Sequence, residues 1–308
     1  MKTALVIVVL LLAVALWALW TPDLDRATLE RQYLQSPGDM VQVLDQRLHV
    51  RESGPKGAPA VLLIHGFGAS LHTWEPWAQT LSKDLRVLSL DLPGSGLSPP
   101  DTGNDYSDAR SIALIEALLD ARGLEKLSLL GHSIGGRIAW TFAATVPERV
   151  DKLVLLAPDG FASPGFDYGK PAQVPAGMGL MRWIAPRWLL RMNLAPGYFS
   201  PAALSEENLS RYHDLMRAPG ARAAMLARWQ QTTLREPQPL LQKISASTLL
   251  VWGRQDAMIP FSNAADYQQS IAHPSLLALD NMGHLAMEEN PQQALPGVLQ
   301  FLTEKNGE

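Results

Sequence analysis

Ser133, Asp256 and His284 have the types, chain order and surroundings that nucleophilic acyl transfer requires. Ser133 lies in Gly131-His132-Ser133-Ile134-Gly135. A serine hydroxyl is a weak nucleophile at neutral pH and needs a base to take its proton. The base in turn needs a carboxylate to fix its tautomer and to stabilise the imidazolium. Small residues on both sides of the serine are what a sharp strand-to-helix turn demands, and such a turn lifts the hydroxyl out of the strand. It also sets the serine at a helix N-terminus, where free N–H groups favour developing negative charge. His132 is read as a packing residue, because a neighbour on so tight a turn cannot easily face the hydroxyl.

The chain has 7 histidines, and His284 is the one placed to serve as base. It lies in Asn281-Met282-Gly283-His284, just after the apolar run 275–279. Asp256 lies in Gly253-Arg254-Gln255-Asp256, just after the apolar run 248–252. Acyl transfer also needs donors for the tetrahedral oxyanion, and losing one typically costs about 2.7–4 kcal/mol of transition-state stabilisation. The N–H of Ile134, directly after the nucleophile, is one expected donor. The N–H of Phe67, in the loop His65-Gly66-Phe67-Gly68, is the other. His65 is read as a structural residue of that loop.

The elements that must position these residues follow a strand-then-helix grammar. Runs 60–64, 86–90, 127–130, 153–156, 248–252 and 275–279 are continuously apolar or nearly so, as strands buried on both faces are. Helical patterns lie between them, at 107–121 and 133–145 for example. This alternation predicts a mostly parallel central sheet flanked by helices. Residues 40–51 alternate apolar and polar, the pattern of a half-buried hairpin. The grammar breaks at 160–241, which is rich in Pro, Gly, Trp, Met and Arg and reads as a helical cap. An insertion there sits over the carboxyl ends of the strands, where ligands bind in open α/β sheets.

The first segment is of another kind. Every residue from Ala4 to Trp20 is apolar. As a helix this run spans about 26 Å, against a hydrocarbon core of about 30 Å. Trp17 and Trp20 close it, as indole rings do at a membrane interface. A single-pass anchor is therefore expected over 1–21, with a juxtamembrane helix or linker over 22–39. Lys2 on one flank and Asp23 on the other keep the N-terminus in the cytoplasm and export the rest. A cleaved signal peptide, with Ala13-Val14-Ala15 as its small-residue site, is the alternative and would give a secreted protein. The net charge of −4 and the absence of any dense Lys/Arg run argue against nucleic acid as a partner. With no cysteine, disulfides and thiolate chemistry are excluded. No His/carboxylate cluster has metal-ligand spacing, and no cofactor is expected.

Taken together, His65-Gly66-Phe67-Gly68, Asp91-Leu92-Pro93-Gly94-Ser95-Gly96-Leu97-Ser98, Gly131-His132-Ser133-Ile134-Gly135-Gly136, Asp256 and His284 resemble the α/β-hydrolase superfamily over residues 45–303. The resemblance implies an α/β-hydrolase core at 40–159 and 242–308 with the cap at 160–241, and a structural role for Asp91. With its apolar start and long cap, the chain also resembles bacterial membrane-anchored phospholipases A of the PlaF type. That likeness implies a serine carboxylic ester hydrolase of the inner membrane with its catalytic domain on the periplasmic side. Its substrates would be medium- or long-chain acyl esters or (lyso)phospholipids; a homodimer stays open. Members of the superfamily with an Asp nucleophile are argued against by Ser133. Meta-cleavage hydrolases, which break a carbon–carbon bond, often carry Trp directly after the catalytic His, where this chain has Leu285. They remain the alternative, with cofactor-free perhydrolases. In the cap, residues 178–199 interleave Trp183, Trp188, Leu189 and Met192 with Arg182, Arg187 and Arg191. Such a segment can lie in a membrane interface, or be an ordinary cap helix on the core.

Overall fold

Residues with apolar side chains in an unbroken run can be buried only where both faces are covered, and the runs become the middle of one sheet. The structure is a computed structural model that describes residues 7, 10, 14, 17–162, 166–175 and 177–304. Its strands are β1 (Met40–Val43), β2 (Gln46–Ser53), β3 (Ala60–Ile64) and β4 (Arg86–Leu90), then β5 (Leu127–His132), β6 (Val150–Leu156), β7 (Ser247–Gly253) and β8 (Pro274–Leu279). They form one eight-stranded sheet in the order β1-β2-β4-β3-β5-β6-β7-β8. The 40–51 hairpin is β1 and β2, and β2 joins β4 antiparallel; every later pairing is parallel.

Alternate residues of each central strand feed two separate cores. Leu62 and Ile64 of β3 pack with Leu129 and Leu155 on one face. Val61 and Leu63 pack with Leu130 and Val154 on the other. Around them the described helices are α1 (Arg26–Tyr33), α2 (Glu75–Leu81), α3 (Asp108–Ala121), α4 (Ile134–Thr145), α5 (Arg187–Leu194) and α6 (Glu206–Leu215). They continue as α7 (Ala221–Gln231), α8 (Gln238–Leu241), α9 (Asn263–Ser270), α10 (Ala286–Glu289) and α11 (Pro291–Thr303). Helices α3, α4, α8 and α9 cover the first face. Helices α2, α10 and α11 cover the second, with Trp74 and Trp77 fully buried between α2 and the sheet. The chain runs from β3 outward to β4 and returns to β5 on the other side of β3. That reversal opens a crevice at the carboxyl ends of β3 and β5.

Between β6 and β7 the described chain has the helices α5, α6, α7 and α8, and its β character is confined, among the described residues, to the isolated bridges Trp20–Ile184, Tyr168–Leu234 and Pro171–Thr233. The expected anchor, 4–20, lies mostly outside the described residues. Among the described residues no helix is long and apolar enough to cross a membrane. The segment after it, expected as a juxtamembrane helix or linker over 22–39, carries a separate helix. Residues 21–25 have no regular structure and Asp25 starts α1 afresh, its carboxylate accepting the Thr28 N–H at 3.1 Å. Pro22 gives the break a reason, since it lacks the N–H a continuing helix would use. Nor is this stretch a loose linker. Leu29 is 1% exposed and packs on Leu97, Leu215, Ala218 and Ala221.

Asp91, at the end of β4, holds the first half of the molecule together. Its carboxylate accepts the N–H groups of Leu71 (2.6 Å) and Leu97 (2.9 Å) and meets His49 Nδ1 at 2.7 Å, with both side chains fully buried. Burial pushes its pKa up, but His49, His65 and His72 outweigh that and bring it from 3.8 to about 2. A carboxyl lowered on folding stabilises the fold fully above its unfolded pKa, here 3.8, and the contribution is lost as pH falls toward about 2. Removing one partner of a buried pair typically costs about 3–5 kcal/mol, so Asp91→Ala should lose stability on that scale in urea unfolding at pH 7. A loss below about 1 kcal/mol, the net value of one ordinary hydrogen bond, would refute the structural role.

Candidate active site

The serine sits on a backbone that most residues avoid. Ser133 has φ 54° and ψ −121°, a left-handed conformation that costs about 1–3 kcal/mol outside glycine. It ends β5 and occupies the N-cap position of α4. Three backbone hydrogen bonds fix it. Its N–H donates to Leu156 O at 3.1 Å, and its carbonyl accepts from the N–H groups of Arg137 and Asp159, both at 3.0 Å. The flanking glycines are there for close approach. A Cβ on Gly131 would fall 2.3 Å from Gly135 O, and one on Gly135 would fall 2.3 Å from Ile64 O.

His284 and Asp256 stand at the ends of two later strands, as their positions after apolar runs suggested. His284 Nδ1 lies 2.7 Å from Asp256 Oδ2, and both residues are buried. An ionised carboxylate can only accept, so the shared proton is on Nδ1 and Nε2 is left as the basic nitrogen. Among the described residues Nε2 holds no protein hydrogen bond. The other Asp256 oxygen accepts the N–H groups of Met258 (2.8 Å) and Ile259 (2.9 Å), which lock the carboxylate in place.

The residue beside Ser133, which the sequence suggested only packs, contacts His284. His132 Nε2–H donates to the His284 carbonyl at 3.0 Å, and the two rings are 4.4 Å apart. Burial, with the neighbouring His284 and His65 charges, pushes the His132 pKa well below 6.5. It is therefore a neutral donor, with its Nδ1 buried and unpartnered. The Ser133 hydroxyl holds no hydrogen bond among the described residues, as is common before substrate tightens the geometry.

The 65–68 loop lies against the same serine. A Cβ on Gly66 would come within 3.2 Å of Ser133 Cβ and 2.6 Å of His132 Nδ1. His65 fixes the loop from below, donating from Nδ1 to Gly66 O at 2.7 Å and accepting the Leu92 N–H at Nε2, 3.1 Å. Burial lowers its pKa, which suits that neutral role. Among the described residues the N–H groups of Phe67 and Ile134 donate to no protein acceptor. They are free to receive an oxyanion.

The cap touches the site through groups no motif disclosed. The Gly197 carbonyl accepts the N–H groups of His284 (2.8 Å) and Leu285 (3.0 Å). Glu289 accepts from Gly283, Phe199 and Ser200 N–H at 2.9, 3.0 and 2.8 Å, tying the histidine loop to the cap. Beside it the buried Glu288 receives Thr73 Oγ1 and Tyr198 OH, both at 2.6 Å, Tyr212 OH at 3.1 Å and Arg211 Nη2 at 3.3 Å. The sequence trace of this cluster is the acidic pair just past His284, and its partners lie in the cap and, for Thr73, in the turn before α2. Among the described residues no group of three His, Asp or Glu could hold a metal ion.

A strained serine at a strand-to-helix elbow, a His–Asp pair at later strand ends and a mostly parallel sheet define a hydrolase architecture. The chain belongs to the α/β-hydrolase fold family, whose profile matches residues 59–291. A 2-hydroxy-6-oxononadienedioate/2-hydroxy-6-oxononatrienedioate hydrolase of Pseudomonas putida is 30% identical over 270 residues, covering 84% of this chain and 92% of that protein. Among solved structures, a membrane phospholipase A, a bacterial virulence factor, is 28% identical with TM-score 0.73, covering 98% of each chain. A hydrolase from Pseudomonas aeruginosa is 26% identical with TM-score 0.74, covering 87% of this chain and 100% of its own.

The packing of Gly66 on the elbow predicts a selective defect. Displacing a reacting group by about 1 Å can cost about 100-fold in rate. Gly66→Ala should slow fluorophosphonate labelling of the protein on that scale while far-UV circular dichroism stays unchanged. Labelling at the wild-type rate would mean that the loop does not border the reacting serine.

Proposed function

We propose that the protein is a serine carboxylic ester hydrolase that acts on medium- or long-chain acyl esters, including (lyso)phospholipids, at a membrane. The observation that carries the reading is the strained Ser133 elbow beside a buried His284–Asp256 pair at 2.7 Å. His284 takes the Ser133 proton as Ser133 attacks the ester carbonyl, and the N–H groups of Phe67 and Ile134 receive the oxyanion. His284 then protonates the leaving alcohol. Water, activated by the same histidine, hydrolyses the acyl-enzyme. Asp256 holds the imidazole in the required tautomer throughout.

The lipid part of the reading is supported by the outer surface of the cap. Helix α5 is divided into three stripes. Leu190 and Leu194 pack inward, Arg187 and Arg191 pair with Glu206, and Trp188 and Met192 face out at 57% and 63% exposure. Leu190 and Leu194 are thus on a different side of the helix from Trp188 and Met192. Trp183 and Leu180 add to the outward patch. The chain leaving the apolar N-terminal run is stitched to its edge. Trp20 bridges Ile184, and the Thr21 N–H donates to Trp183 O at 2.8 Å. Arg222 secures the junction through Thr21 O (2.7 Å) and Asp23 (2.5 Å). In this reading residues 4–20 anchor the protein in the inner membrane, and the catalytic domain lies on its periplasmic side with the patch against lipid. The likeness to a membrane phospholipase A over 98% of each chain supports the same assignment.

The Pseudomonas putida relative favours a second reading, cleavage of a carbon–carbon bond in a dienoate by the same three residues. Purified enzyme separates the two. Ser133→Ala should abolish p-nitrophenyl ester hydrolysis and fluorophosphonate labelling, and Asp256→Asn should lower kcat about 10⁴-fold through the wrong histidine tautomer. Wild-type enzyme should release fatty acid from phospholipid and leave a coloured dienoate unchanged. Turnover of the dienoate with phospholipid untouched would replace the lipid reading by the second. For the anchor, carbonate extraction should leave the activity in the membrane pellet, and its full release would contradict a spanning segment.

A further inference from the structure

One buried cation has no ion-pair partner among the described residues. Arg228, on α7, is 6% exposed. Its protein hydrogen bond is from Nη2 to Pro93 O at 3.0 Å, and its guanidinium lies 5.1 Å from the centre of the Tyr106 ring. The nearest carboxylates serve other arginines: Asp101 pairs with Arg110 at 2.8 Å and Asp108 with Arg137 at 3.1 Å. Among the described residues the remaining N–H groups of Arg228 find no acceptor, yet they are not sealed from solvent. Burial pulls its pKa down to about 10, which leaves it a cation at neutral pH. A buried charge normally has a partner, because desolvation is otherwise uncompensated.

Its position suggests what the partner is. Residues 225, 228 and 229 share one face of α7 by their helical spacing. Met225 closes on the oxyanion loop, its Cε 3.3 Å from where a Gly68 Cβ would sit. Trp229 meets Phe67 edge to face with ring centres 5.4 Å apart, and Phe166 stacks on Trp229 at 5.8 Å. His65, at the head of the same loop, feels the Arg228 charge. The helix that carries the cation therefore packs on the loop of the proposed oxyanion donor through Met225 and Trp229, while the guanidinium itself lies at Pro93 and Tyr106, close enough to act on His65. We infer that Arg228 is a specificity residue whose guanidinium receives an anionic group, phosphate or carboxylate, carried by the ester substrate. A guanidinium offers two parallel N–H donors to either anion, and the low-dielectric surroundings strengthen the contact.

This inference rests on the ester-hydrolase reading, and the test keeps the two apart. Full-length wild type, Arg228→Gln and Arg228→Lys are compared on four esters. These are a lysophosphatidylglycerol, a monoacylglycerol of the same acyl chain, a p-nitrophenyl monoester of a dicarboxylic acid and its neutral counterpart of equal length. Arg228→Gln should lower kcat/KM on an anionic ester roughly 10- to 100-fold, mainly through KM, as loss of a charged hydrogen bond does. The neutral esters should change by no more than about twofold, and Arg228→Lys should restore part of the loss. A loss confined to the phosphate ester assigns a lipid headgroup; one confined to the dicarboxylic monoester assigns an acid on the acyl chain. Equal losses on charged and neutral esters would make Arg228 a clip between the cap and Pro93 and overturn the inference, as would no loss on either. If Arg228→Gln does not fold, Arg228→Lys carries the same comparison, because it keeps the charge and removes the fork. Wild type that cleaves none of the four esters would overturn the ester reading and this inference with it.

Discussion

The left-handed backbone of Ser133 is the constraint on which the rest of the fold depends. A serine at φ 54° does not hold that conformation unaided. It is held because β6 offers Leu156 O to its N–H, while the start of α4 and the turn after β6 send two N–H groups to its carbonyl. That turn is itself fixed. Arg137 reaches Asp159 at 2.6 Å, and Trp140 and Tyr267 both donate to the Asp159 carbonyl at 3.0 Å. Strands β3, β5 and β6 and helices α4 and α9 therefore converge on one residue. Glycines 131 and 135 let them come close enough, which is why the elbow needs small residues on both sides of the serine.

A second set of contacts links the cap to the base. Gly197 O takes the His284 N–H, Glu289 gathers N–H groups from the cap and from Gly283, and Glu288 collects two tyrosines, an arginine and a threonine in a buried site. Tyr198 and Tyr212 are pushed up by burial and by that carboxylate, so both stay protonated donors. The cap in turn is fastened to the N-terminal segment through Thr21, Asp23 and Arg222. A force on the N-terminal segment therefore has a hydrogen-bonded route through the cap to the histidine loop. An enzyme whose substrate is a surface can use such a route, because the surface that holds the segment also fixes the cap over the cleft.

The central strands were legible in the sequence because burial on both faces leaves no polar alternation, and each run from 60–64 to 275–279 lies within an observed strand. The positions of Ser133, Asp256 and His284 were legible for a related reason: they stand where such runs end. Within 22–39, read as a juxtamembrane helix or linker, the structure has a helix that starts only after Pro22 at the Asp25 cap, and Leu29 is buried against residues 97 and 215–221. The role of His132 was hidden because its partner is a backbone carbonyl 152 residues away. The Glu288 cluster was hidden for the same reason. Local pattern reports periodicity and turn chemistry, and hydrogen bonds between distant segments leave no trace in either.

The Ser–His–Asp constellation cannot by itself choose between ester and carbon–carbon cleavage, since both need a nucleophilic or polarising centre beside an oxyanion site. The choice lies with what surrounds it. Two charges under the cap differ instructively. Arg211 is neutralised by the buried Glu288 at 3.3 Å, so it offers little to a ligand. Arg228, on the next helix, has no ion-pair partner among the described residues, and its neighbour Trp229 packs on the loop that borders the serine. Outside, the cap presents Trp183, Trp188 and Met192 to the surroundings without polar cover. A small dianionic substrate would match the cation and leave the apolar face without a purpose. A neutral ester would match the apolar face and leave the buried cation uncompensated. Under the proposed ester-hydrolase reading, a molecule with a long acyl chain and one anionic group, such as a lysophospholipid, would answer both.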